Sequence, residues 1–122
     1  HKLGAFVMIS SDGNLWPIID DYLIGTDVDA QREIQTNVMD RYKLKDRFGD
    51  RICFVGNVDT QWILPFGSTE EVVKETKDCI KAFSPGGGHI LMSSNSINQA
   101  VKPDNFFTML GTKDRYGVYN KR

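Results

Sequence analysis

Two of the aspartates, Asp12 and Asp59, stand where an acid would be useful. Each follows an apolar run of strand character, Ala5-Phe6-Val7-Met8-Ile9 and Ile52-Cys53-Phe54-Val55, and so falls in the loop that leaves that strand. A carboxylate at the C-terminal end of a strand can act as a general acid or base, or it can cap the helix that follows. Both readings stay open for this pair. Short polar side chains able to hydrogen-bond a ligand surround them: Ser10, Ser11 and Asn14 beside Asp12, Asn57 and Gln61 beside Asp59, and Ser94 after a third run, His89-Ile90-Leu91-Met92.

Other chemistries lack their residues. The histidines are His1 and His89, and His89 starts a strand rather than leaving one, so a structural role is expected. Cys53 and Cys79 lack the close spacing of a zinc knuckle or a redox pair and are expected as buried thiols. There is no Ser-His-Asp set, paired-His metal motif or nucleotide fingerprint. Gly86-Gly87-Gly88 precedes a strand, which suits a helix stop and tight turn better than a phosphate cradle. Trp16 and Trp62 are read as packing anchors.

The composition sets the frame for these residues. With 122 residues, 15 basic against 16 acidic side chains and 40% hydrophobic residues, the chain reads as a single domain, residues 1–122, able to build its own core. A net charge of -1 offers no field for nucleic acid or an anionic membrane. The longest apolar run, Ile63-Leu64-Pro65-Phe66, is far short of the ~20 residues that cross a bilayer, and no signal-peptide core follows His1-Lys2-Leu3-Gly4, so a cytoplasmic protein is expected. The strand-like run begins almost at once after His1-Lys2-Leu3, which reads as a piece of something longer.

The elements that must position the polar loops alternate. Ala5 to Ile9 reads as a strand covered on both faces, and Leu15 to Ile24 as a helix with Asn14 at its N-cap and Gly25 as its stop. Ile52 to Val55 leads to a helix at Thr69 to Phe83, with capping-box spacing at Ser68 and Glu71 and an apolar stripe of Val72, Thr76, Cys79, Ile80 and Phe83. His89 to Met92 leads to a helix at Pro103 to Tyr116. Between the first two units, Thr26 to Gly49 reads as a strand near Asp29 to Gln35 and a helix from Val38 to Phe48, with one long helix as the alternative. Alternation in this order predicts parallel strands.

Five blocks carry a resemblance together: Ser11-Asp12-Gly13-Asn14-Leu15-Trp16-Pro17; Lys43 through Arg51 (KLKDRFGDR); Gly56-Asn57-Val58-Asp59-Thr60-Gln61 with Leu64 through Val72; Pro85 through Leu91 (PGGGHIL); and Val101-Lys102-Pro103-Asp104-Asn105. In order they resemble the C-terminal half of the uroporphyrinogen decarboxylase superfamily, which also contains corrinoid-dependent methyltransferases. The resemblance implies a TIM barrel, of which this chain would form the last four βα units: a (βα)4 half with parallel strands, completed by self-association as a homodimer or higher oligomer. It implies a parent that decarboxylates porphyrinogen carboxylates. The alternatives are a methyl-transfer parent acting on a methylated small molecule, and a selected or designed stand-alone fold without activity. The isolated chain is expected to be inactive.

In such folds the strand C-terminal ends carry the site, which selects Ser10 to Asn14, Gln35 to Asn37, Asn57 to Gln61 and Ser93 to Asn98. The places where the methyltransferase branch binds zinc hold Ser10, Asp12 and the Ser93-Ser94 region, so no metal and no cofactor are expected. The place of a decarboxylase histidine near the substrate's carboxylates holds Asn95, which can hydrogen-bond but carries no charge. The catalytic candidates are therefore Asp12, Asp59 and Asn95, with a tetrapyrrole as the parent's ligand.

Overall fold

A computed structural model of the chain describes residues 1–119. Four parallel strands form one sheet in chain order: β1 (Met8–Ser10), β2 (Ala30–Arg32), β3 (Cys53–Val55) and β4 (His89–Ile90). Helices α1 (Arg41–Phe48), α2 (Ile63–Phe66) and α3 (Thr69–Phe83) lie in the connections between strands, with a 3-10 turn at Trp16–Ile18 and a π turn at Asp21–Gly25 in the first of them, and α4 (Pro103–Tyr116) follows β4. Among the described residues, no helix is long and apolar enough to cross a membrane.

Helix α3 forms where local chemistry demands it. The Ser68 hydroxyl accepts the Glu71 N–H at 3.2 Å and the Glu71 carboxylate accepts the Ser68 N–H at 2.7 Å, so two of the otherwise orphaned N-terminal groups are satisfied reciprocally. Its buried side is Val72, Thr76, Cys79, Ala82 and Phe83. Helix α4 starts at a proline, tolerated there because the first turn needs no N–H, and the Asn105 amide ties it to α2 through the carbonyls of Leu64 (3.0 Å) and Gly67 (2.9 Å).

The sheet is covered on one face. Alternate residues Ile9, Gln31 and Phe54 share a row toward the helices, where the Phe54 and Phe83 rings stack at 4.9 Å. The other face presents Met8, Ser10, Ala30, Arg32, Cys53, Val55 and Ile90 in matched registers. Among the described residues nothing covers the outer part of it: Met8 is 54% exposed, Ile90 57% and the preceding Phe6 89%.

Several sequence expectations need correction. The first strand is not covered on both faces, because nothing among the described residues packs on the face that carries Met8, and it starts at Met8 rather than Ala5. Leu15 to Ile24 is not one regular helix. Pro17 sits in a 3-10 turn, and the Asn14 side chain accepts the Trp16 N–H at 3.1 Å instead of capping an α-helix. The strand expected at Asp29 to Gln35 is cut to Ala30–Arg32, since Glu33 adopts φ 64, which no strand sustains. The helix expected from Val38 begins at Arg41, where the Asp40 carboxylate accepts the N–H groups of Tyr42 and Lys43. The apolar run Ile63 to Phe66 is a one-turn helix, and Cys53, on the open face, is only half-buried.

Candidate functional site

All four strands point their C-terminal ends to one rim, and the loops leaving them meet there. The first and last of these loops touch: the Asn95 amide donates to the Asp12 carboxylate at 3.3 Å. The Asn95 backbone is itself fixed, its carbonyl accepting the Ser93 hydroxyl at 2.7 Å, while its side-chain oxygen accepts the Ser96 N–H at 2.7 Å. The pairing leaves Asp12 exposed and able to accept from a further donor.

Beside this contact lies a cleft of about 620 Å³, lined among others by Thr60, Gln61, Trp62, Phe66, Asn95 and Asn98. The Trp62 and Phe66 rings lie 5.9 Å apart on its wall and are largely exposed. Neutral amides can donate and accept, and exposed rings can stack on a flat ligand. The arrangement can bind and orient; acid or base chemistry in this region would fall to Asp12.

Asp59 is engaged otherwise. Its carboxylate is buried and accepts three backbone N–H groups, from Gln61 at 2.9 Å, Trp62 at 3.1 Å and Ile63 at 3.2 Å, which makes it the anchor of α2. Gln61 is exposed on the cleft. Ser94 is buried and binds Thr60 through the backbone N–H at 3.1 Å and the hydroxyl at 3.0 Å, joining the third and fourth loops. Asn57 is also buried, its amide donating to the Ile34 carbonyl at 3.0 Å and its N–H to the Cys79 sulfur at 3.0 Å. Ser11 makes a 3.4 Å bond to the Asp12 carbonyl, and Ser10 donates to the Glu33 carboxylate at 2.6 Å. Thus Asp12, Asn95 and Gln61 come together at the rim, while Asp59, Asn57 and Ser94 hold the loops that carry them.

Two groups behind the rim are tuned to stay neutral. His89 donates from Nε2 to the Gly56 carbonyl at 2.7 Å, which leaves Nδ1 to accept the Ser84 hydroxyl at 2.7 Å. Burial lowers its pKa below the ordinary histidine value, against the raising effect of the Gly56 carbonyl. Burial likewise pushes the Cys79 thiol up to about 12, far from a reactive thiolate. Among the described residues, no group of three His, Cys, Asp or Glu is placed to hold a metal ion.

Arg32 and Glu33 stand outside the sequence candidates. Their signal was the polar run Gln31-Arg32-Glu33, odd for a strand in a parallel sheet. Gln31 is buried on the helix side, whereas Arg32 ends β2 and Glu33 follows it at the rim.

The sequence pattern of the family described as Uroporphyrinogen decarboxylase (URO-D) matches residues 12–116. A uroporphyrinogen decarboxylase of Nitrosococcus oceani is 28% identical over 98 residues, 80% of this chain and 26% of its own length. Another, from Sodalis glossinidius, is 33% identical over 57 residues, 47% of this chain and 16% of its own. A third, from Alkalilimnicola ehrlichii, is 29% identical over 66 residues, 54% of this chain and 18% of its own. The chain therefore spans about a quarter or less of these relatives. The match runs from Asp12 at the rim to the last turn of α4, and with four parallel βα units in order it places the chain in the uroporphyrinogen decarboxylase family, as half of a TIM barrel.

Proposed function

We propose that the chain is the C-terminal half of a uroporphyrinogen decarboxylase-like barrel, supplying one side of a pocket for a tetrapyrrole acid without catalysing decarboxylation alone. The observation that carries this reading is the Asp12–Asn95 contact, which joins the first and last loops of the rim beside a cleft of amides and exposed rings. Such a surface suits a flat, polar ligand, and the names of the relatives indicate one. The open sheet face would lie against the other half of the barrel. In the isolated chain, we propose that a second copy covers it, since apolar surface left in water costs ~25 cal/mol per Å².

The test is a pair of measurements on the 122-residue chain. Quenching of porphyrin fluorescence reports binding, and carbon dioxide release from uroporphyrinogen reports turnover. Binding with no release above the uncatalysed rate is expected. Release at an enzyme-like rate would overturn the half-site reading, and absence of binding would overturn the ligand.

A further inference from the structure

Arg32 ends β2 on the open face, in a row with Ser10, Val55 and Ile90. It is the cation of that row, set between a serine and aliphatic side chains. The Arg32 Nε is buried and has no hydrogen-bond partner among the described residues. Its nearest acid, Glu33, stands 3.8 Å from a terminal nitrogen, beyond hydrogen-bond reach. A guanidinium presents five donors in a fixed fork, and a buried donor without an acceptor is unfavourable.

The next residue is strained. Glu33 holds φ 64, a left-handed conformation that disfavours any residue with a side chain, and its carboxylate is tied to the Ser10 hydroxyl at 2.6 Å. Strain of this kind persists where surrounding contacts enforce it, and it concentrates at functional positions. Here it ends the strand directly after Arg32, so the guanidinium stands at the rim end of the open face. In parallel barrels that end of the strands receives the ligand, while the opposite end serves stability.

We propose that Arg32 is the anchor for a carboxylate of the ligand, gripping it through the planar fork that matches a carboxylate's two oxygens. The inference rests on the tetrapyrrole-acid reading above and names a group of that ligand together with the residue that receives it. Glu33 acts against it: its charge lies close enough to Arg32 to compete with an incoming acid.

The experiment titrates the full chain with two porphyrins, one bearing free carboxylates and one bearing uncharged hydroxyl groups on the same ring. The variants are Arg32→Gln, Arg32→Lys and Glu33→Gln, each checked for an intact thermal midpoint. Loss of a charge-assisted hydrogen bond predicts carboxylate-porphyrin binding about tenfold or more weaker in Arg32→Gln. Partial recovery is expected in Arg32→Lys and tighter binding in Glu33→Gln, with the uncharged porphyrin indifferent to all three. If Arg32→Gln binds the acid as wild type does, the Arg32 proposal is overturned and the tetrapyrrole reading stands. If wild type binds neither porphyrin, both fall. Should Arg32→Gln not fold, Glu33→Gln decides: unchanged affinity, or binding insensitive to added salt, overturns the proposal.

Discussion

Asp59 offers a direct test of whether a rim carboxylate serves structure or chemistry. Replacing it by alanine strips three backbone N–H groups, those of Gln61, Trp62 and Ile63, of their acceptor in a site only 7% exposed. Loss of a side-chain acceptor for N–H groups entering a helix costs about 1 kcal/mol, as loss of an N-cap does, and a buried donor left without a partner costs about 1–3 kcal/mol where water does not reach it. Some of the three will find water at the rim, so about 2 kcal/mol is the expected loss. For a chain of this size that corresponds to a fall of roughly 8 °C in Tm and of about 1 M in the urea midpoint. Asp59→Asn keeps one acceptor oxygen and should lose about half as much. Urea unfolding followed by far-ultraviolet circular dichroism makes the measurement. A wild-type midpoint in Asp59→Ala would refute the argument, because it would mean that α2 does not depend on this carboxylate.

Further outcomes are expected elsewhere in the fold. Ser68→Ala breaks the reciprocal cap of α3 and should destabilise the chain by about 1 kcal/mol, read from the urea midpoint; Ser68→Asp should keep most of it. Alkylation should modify half-buried Cys53 in the folded chain and reach Cys79, whose thiol is pushed up to about 12, only on unfolding. Because Cys53 lies on the open face, its alkylation should slow as protein concentration rises if a second copy covers that face; a concentration-independent rate and a monomer mass in sedimentation would sink self-association. His89 has a lowered folded pKa, so the unfolded chain takes up its proton first as pH falls. Its stability contribution is complete above about 6.5 and is lost as pH drops from there through the folded value. His89→Gln should abolish that dependence, and an identical pH profile in wild type and variant would rule the assignment out.

How far the chain could be read depended on where each interaction finds its partner. Helix α3 was legible to the residue, because Ser68 and Glu71 satisfy each other within one turn and the stripe from Val72 to Phe83 repeats with the helix. Helix α4 was legible for the same reason: Pro103 marks its start locally. The parallel order of the strands followed from alternation alone. By contrast, Leu15 to Ile24 carried helical signals yet broke into 3-10 and π turns, since Pro17 removes a donor and the first regular turn had no cap. The apolar run Ala5 to Ile9 looked doubly buried, but hydrophobicity says that a residue would prefer cover, not that cover is present; one face of β1 lies open. At the rim, residue types were readable and roles were not. Asp12 and Asp59 both follow strands, yet one meets Asn95 from a loop 83 positions away while the other is consumed by the three N–H groups just after it. Local sequence names the donors and acceptors; which of them remain free for a ligand depends on partners brought together across the sheet, and for Arg32 that left its Nε without an acceptor among the described residues.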